Sequence, residues 1–241
     1  MIRLLKETIK RVVFHYIKPP TQFISNTYSQ AGEDAIVGFL LFDKKIKDIT
    51  YLDIGTNHPD WGNNTYLFYL KGSRGVCVEA DKSLIAEIKK MRPEDKVLNI
   101  GVNINSNEGS SDFYVFNDPA LNTFDKNEAE CRQNKGTYKI LYVEKVRLKT
   151  LEEIILENFV TFPDFLSIDI ENLDLAVLKT INFEKYRIPI ICAESCLYSE
   201  NHRRPKNPEI ISYMTSKGYF VYADTYVNTI FVNEAWFNKI N

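Results

Sequence analysis

An α/β fold, with a mainly parallel sheet and helices on both faces, is predicted by three observations. Short apolar runs ending in an acid or a glycine recur along the chain: ITYLDIG (49–55), GVCVEAD (75–81), FLSIDIE (165–171) and IPIICAES (188–195). Segments of helical periodicity lie between them, and parallel strands need such crossovers. Finally, YFVYAD (219–224) and NTIFVN (228–233) read as a hairpin that adds an antiparallel strand at one edge.

Taken in order, the chain starts with an amphipathic segment. Ile2, Leu5, Ile9, Val12, Val13, Tyr16 and Ile17 recur at helical spacing, Arg3, Lys6, Lys10, Arg11 and Lys18 outnumber Glu7, and Pro19-Pro20 stop the helix. Residues 1–25 read as an appendage without the apolar h-region of a secretory signal. It packs on the domain or on a second copy of the chain, or residues 2–17 lie on an anionic membrane surface. Residues 26–241 read as one domain. Ala31, Ala35, Ile36, Phe39 and Leu40 form a helical face behind Ser29-Gln30 and beside Glu33-Asp34. Ser83 opens a helix through Leu84, Ile85, Ile88 and Met91, and KVLNIGV (96–102) is a third strand. SSDFYVF (110–116) and TYKILYVEKVRL (137–148) read as additional strands joined by a loop. Thr150 and Glu153 make a capping box for a helix through Ile154 and Ile155. Leu175, Val177, Leu178 and Ile181 mark the next helix, and Asn207-Pro208 start another that ends at Gly218.

The chain has 241 residues, enough for a full core without staples. Its 30 basic against 32 acidic residues argue against a surface built to grip nucleic acid. No apolar run approaches a membrane-spanning length. Cys77, Cys131, Cys192 and Cys196 form no CxxC pair and read as buried small hydrophobes of a reducing compartment, so a cytoplasmic location is expected.

Ligands of open α/β sheets bind outside the carboxyl ends of the strands. Those ends carry Asp53, Gly55 and Asn57, then Glu79 and Asp81, then Asp169 and Glu171, then Glu194 and Ser195. Capping of the next helix is the plain alternative for Asp81 and Glu171. A dinucleotide site wants G-x-G-x-x-G for close approach to a pyrophosphate. Here the turn is Asp53-Ile54-Gly55-Thr56-Asn57, whose acid repels a phosphate. S-adenosylmethionine carries no phosphate. Asp53 suits its cationic methionine end, and Glu79 suits its ribose hydroxyls. An NAD-dependent oxidoreductase and a non-catalytic nucleotide-binding module are the alternatives.

These residues, read together, resemble the FkbM-type S-adenosylmethionine-dependent methyltransferases. The resemblance is carried by YSQAGEDAI (28–36), YLDIGTNHP (51–59), NTYLFY (64–69), RGVCVEAD (74–81), NDPALNTF (117–124), FLSIDIENLDLAVLK (165–179) and IICAE (190–194). It implies a Rossmann-like class I methyltransferase fold with a seven-stranded sheet, and O-methylation, often of a sugar in a glycan or natural product. It implies further that Asp53, Gly55 and Asn57 hold the methionine part, that Glu79 takes the ribose, and that Ala80 and Asp81 lie beside the adenine. Asn99 and Gly101 would flank the adenine or the methionine tail. Asn172 stands where the family usually has glycine, and the polar stretch from Ser195 to Arg204 departs from its pattern.

A sugar hydroxyl is a poor acid, so the reaction needs a base or a metal. Asp169 and Glu194 are candidate ligands for Mg²⁺ or Mn²⁺. Without a metal, the base comes from Asp169, His58 or His202, and Asp169 is expected to be essential either way. Asn63, Asn64 and Tyr66, with Glu171, are candidate contacts to the acceptor. Arg203 and Arg204, beside Lys206, are candidate contacts to an acceptor phosphate, against the plain reading of a solvated basic loop.

Overall fold

A computed structural model describes residues 26–104, 109–170, 173–196 and 205–239. Expectations for residues 2–17, Glu171, Asn172, His202, Arg203 and Arg204 lie outside them.

The main sheet has seven strands. In chain order these are β1 (Thr50–Ile54), β2 (Arg74–Glu79), β3 (Lys96–Asn99), β7 (Phe165–Ile168), β8 (Ile190–Glu194), β9 (Tyr219–Asp224) and β10 (Asn228–Asn233). Across the sheet they run β3-β2-β1-β7-β8-β10-β9. The first five pair in parallel, whereas β10 pairs antiparallel with both β8 and β9. The hairpin therefore folds back so that the antiparallel strand sits inside the sheet, with β9 at the edge. The expected antiparallel strand is present but is not the outermost one.

Side chains sort to the two faces with the strand period of two. Leu52, Ile54, Leu166, Ile168, Ile191, Ala193 and Phe231 join one core. There they meet α5 (Leu151–Asn158), α6 (Asp174–Lys179) and α7 (Pro208–Ser216) through residues such as Ile154, Val177 and Met214. Tyr51, Phe165, Ile190, Cys192, Ile230 and Val232 face the other core. That core is covered by α1 (Glu33–Asp43), by Phe68 of α2 (Tyr66–Leu70), and by Trp236 and Phe237 of α8 (Glu234–Lys239). The predicted caps form: Thr150 and Glu153 close a capping box on α5, and Asn207 caps α7 with Pro208 behind it.

Several boundaries differ from the sequence reading. The run 96–102 is two strands, because the chain leaves the main sheet at Ile100. β4 (Gly101–Asn103) then joins β5 (Ser110–Phe116) and β6 (Ile140–Thr150) in a small sheet of order β4-β6-β5. The loop between β5 and β6 contains a 3-10 turn (Pro119–Leu121) and α4 (Lys126–Asn134). α3 (Lys82–Met91) is capped by Asp81 rather than opened by Ser83. All four cysteines are free, but Cys131 is exposed rather than buried. Among the described residues, no helix is long and apolar enough to cross a membrane.

The order β2-β1-β7 makes the space between β1 and β7 the switch point, where ligands of such sheets bind. There the two chains nearly touch. Asp169 N donates to Ile54 O at 3.0 Å and Gly55 N donates to Val78 O at 3.0 Å. Gly55 has φ +78°, and a Cβ on it would lie 1.9 Å from the Asp169 carbonyl oxygen. Gly55→Ala should therefore lower unfolding stability by more than about 2 kcal/mol, since it adds left-handed strain to a backbone overlap. Urea denaturation checks this, and an unchanged midpoint would contradict it.

Candidate active site

At the carboxyl ends of β1, β2, β7 and β8 lies a cavity of ≈ 530 Å³. Its walls differ in character. On the side of β2 and the small sheet are Ala80, Leu84, Ile100, Gly101, Phe113 and Phe124. The Phe113 and Phe124 rings lie 4.6 Å apart. On the side of β7, β8 and β10 are Asn64, Ser167, Asp169, Glu194 and Asn228, joined by Ser29 and Gln30. Four carboxylates (Asp53, Glu79, Asp169 and Glu194) line the cavity, and no lysine or arginine does among the described residues. The enclosed charge is acidic.

Glu79 ends β2 and is buried. Its Oε2 accepts from Asn57 N and its Oε1 from Asp81 N, both at 2.8 Å. Asn57 presents that amide because it adopts the left-handed conformation, φ +49°. Burial pushes the Glu79 carboxyl up to about 7, against the two amides that favour its charged form. The Asn57 side-chain Oδ1 is buried without a partner among the described residues, which leaves an acceptor for an incoming donor.

Asp53 is held from behind. Its Oδ2 accepts from Asn63 Nδ2 and Thr65 Oγ1, each at 3.0 Å, and lies 3.5 Å from Arg92. Arg92 is fully buried at the end of α3. It also donates to Thr65 Oγ1 and to Asp95 at 2.8 Å, and to Asn63 Oδ1 at 3.2 Å. Tyr51 OH, Gly75 N and Cys77 Sγ also donate to Asp95. Arg92, Asp95 and Thr65 were not foreseen. An arginine before Pro93 at a helix end reads as an ordinary complement to the helix dipole, and nothing in its neighbours marks it as buried.

Two buried acids of the 28–36 motif bring Ser29 and Gln30 to the cavity. Asp34 accepts from Tyr28 N and Ser29 Oγ at 2.8 Å and from Thr27 Oγ1. Glu33 accepts from Ala31 N at 2.8 Å, Thr225 Oγ1 at 2.6 Å and Asn228 Nδ2 at 2.9 Å, tying the loop before α1 to the β9–β10 turn.

Of the predicted residues, Asp53, Gly55, Asn57, His58, Asn64, Glu79, Ala80, Gly101, Asp169 and Glu194 all line the cavity. Asp81, Asn99 and Tyr66 do not. Asp81 is a helix cap, accepting from Ser83 N, and it also accepts from Asn122. Asn99 donates to the Glu79 and Ala80 carbonyls and so braces that turn. Tyr66 packs edge-on against Tyr28. Asn63, expected near the acceptor, lines the cavity, but its amide is spent on Asp53, the Thr56 carbonyl and the start of α2. Asn64 donates to Ser167 Oγ at 3.1 Å. His58 stacks on Trp61 at 4.2 Å. Asp169 and Glu194 reach the same cavity, yet no group of three or more His, Cys, Asp or Glu suited to a metal occurs among the described residues.

Fold and cavity together define a Rossmann-like α/β protein with an acidic, half-apolar cavity at the switch point of its sheet. The sequence pattern of the methyltransferase FkbM domain matches residues 53–221, and the chain belongs to the FkbM-type S-adenosylmethionine-dependent methyltransferases. No individually curated protein matches it. Solved structures that share a broad likeness include three methyltransferases. A TehB-like SAM-dependent methyltransferase from Corynebacterium glutamicum has TM-score 0.44 and 9% identity, covering 95% of this chain and 96% of its own. The 1,6-didemethyltoxoflavin-N1-methyltransferase of Burkholderia thailandensis has TM-score 0.40 and 10% identity, covering 96% and 87%. An O-methyltransferase from Bacillus cereus has TM-score 0.37 and 12% identity, covering 93% and 96%.

The position of Glu79 gives a pH signature. Its folded value near 7 lies above the ordinary 4.5, so the folded state holds a proton that the unfolded state releases. Its contribution to stability is present below about pH 4.5 and is lost as pH rises through 7. Without cofactor, wild type should lose stability between pH 5 and pH 8 relative to Glu79→Gln. Parallel slopes in chemical denaturation would contradict this.

Proposed function

We propose that the chain transfers the methyl group of S-adenosylmethionine to a hydroxyl of a sugar or glycan. The observation that carries this reading is the cavity's division into an apolar slot beside Glu79 and a polar, acidic wall containing Asp169 and Glu194. S-adenosylmethionine is cationic overall, and four lining carboxylates without a lining lysine or arginine suit it. The same charge disfavours the pyrophosphate of NAD.

When bound, the cofactor supplies a methyl group already activated on a sulfonium. Ala80, Leu84, Phe113 and Phe124 would enclose the adenine. Glu79 would accept from the ribose hydroxyls through lone pairs left free by its two amide bonds. Asp53 and Asn57 would take the methionine ammonium. On the opposite wall Asp169 would receive the proton of the acceptor hydroxyl, while Glu194, Asn64 and Asn228 orient neighbouring hydroxyls. The acceptor oxygen would exchange its proton, taken up by Asp169, for the methyl group that the cofactor would supply in leaving as S-adenosylhomocysteine. Mg²⁺ or Mn²⁺ would find two carboxylates here, in Asp169 and Glu194. Such ions take six or more oxygens, so acceptor or water would supply the rest, and no step is routed through them.

The test is radiolabelled methyl transfer to a panel of methyl glycosides, nucleotide sugars and lipid-linked glycans, with chelator and with added Mg²⁺. Asp169→Asn should lower kcat by about 100-fold or more, the scale of a lost general base, with cofactor affinity nearly unchanged. Cofactor binding without transfer to any hydroxyl, or an Asp169→Asn variant of full activity, would defeat the proposal.

A further inference from the structure

The cavity's acids raise a question of placement: Asp53 is useful to a ligand only if one oxygen is restrained and the other left available. The structure meets both conditions. Oδ2 is engaged by Asn63, Thr65 and Arg92, while Oδ1 forms no hydrogen bond with the described residues. The Arg92 guanidinium uses three separate nitrogens: Nε on Asp95, one terminal nitrogen toward Asn63 and Asp53, and the other on the Thr65 hydroxyl. Thr65 accepts from Arg92, and its one hydroxyl proton is shared between Asp53 Oδ2 and Asn63 Oδ1, each at 3.0 Å, so the charge reaches Oδ2 both directly and through a relay. Tyr51 flanks the guanidinium, with its ring centroid 5.3 Å away.

We propose that Arg92 is a positioning residue that aims Asp53 at the amino-acid end of the cofactor. One buried cation between two carboxylates leaves a single negative charge, and Asp53 is the member of the group that lines the cavity. That charge is available to an ammonium. A planar guanidinium can serve three partners in fixed directions, and a lysine ammonium, a point charge on a flexible stem, cannot. Arg92 touches no ligand and acts only through Asp53, Asn63 and Thr65. The inference rests on S-adenosylmethionine being the cofactor, as proposed above.

The experiment compares two ligands that differ at the end in question. S-adenosylhomocysteine carries the ammonium and carboxylate, whereas 5′-methylthioadenosine lacks the amino-acid part and keeps the adenosine. Both are titrated by calorimetry into the full chain, as wild type, Arg92→Lys and Thr65→Val. Arg92→Lys should weaken S-adenosylhomocysteine by about tenfold, on the scale of a hydrogen bond to a charged group, and leave 5′-methylthioadenosine within about twofold. Thr65→Val removes only the relay and should weaken S-adenosylhomocysteine in the same selective way by about threefold. It decides the matter if Arg92→Lys does not fold. A merely structural role would weaken both ligands alike, so equal losses, or none, overturn the inference. If wild type binds neither S-adenosylhomocysteine nor S-adenosylmethionine, the cofactor reading itself falls, an outcome distinct from loss of selectivity in the variants.

Discussion

The site depends on the near-contact of two backbones at the switch point of the sheet. β1 and β7 run side by side, and beyond their ends the chain at Gly55 passes so close to the Asp169 carbonyl that no side chain fits between them. This approach sets the distance between the Asp53–Asn57 turn and the Asp169 wall. The first offers groups suited to a methyl donor, the second a group suited to an acceptor. A residue with a Cβ at position 55 would push the two walls of the cavity apart.

Around that contact the protein solves an electrostatic problem. A cavity with four acids and no lining cation among the described residues would repel itself if all were charged and unsupported. Asp53 is balanced by a buried guanidinium outside the cavity. Glu79 is kept in place by two backbone amides while burial raises its pKa toward neutrality. The two acids that fold the 28–36 motif lie outside the cavity and act by tying loops. Glu33 joins the segment before α1 to the β9–β10 turn, so parts of the chain far apart in sequence close one wall together.

Much of this was legible in the sequence, and the reasons differ by residue. The central strands β1, β2, β7 and β8 announce themselves because both of their faces are buried, which makes them mostly apolar up to polar residues at their carboxyl ends. Asp53, Gly55, Glu79, Asp169 and Glu194 could be placed at the cavity for that reason alone. Asp81 and Asn99 sit at equally polar strand ends but spend their side chains elsewhere, Asp81 on Ser83 N and the Asn122 amide and Asn99 on two carbonyls, a difference set by geometry within a few ångströms. Arg92 left no local signal, since its burial arises where α3 ends against β1 and β2. The break at Ile100 was hidden in the same way: one short run, polar at Asn99, serves two sheets, and Gly101 has Phe124 2.4 Å from where a Cβ would be.

A crystal structure of the chain with S-adenosylhomocysteine bound would test the central claim most directly, because the claim concerns orientation as well as identity. The predicted result is adenine between Ala80, Leu84 and the Phe113–Phe124 pair, the ribose hydroxyls on Glu79, the ammonium near Asp53 Oδ1, and the sulfur facing the Asp169 and Glu194 wall. A ligand with its ends reversed, or one bound outside this cavity, would contradict it.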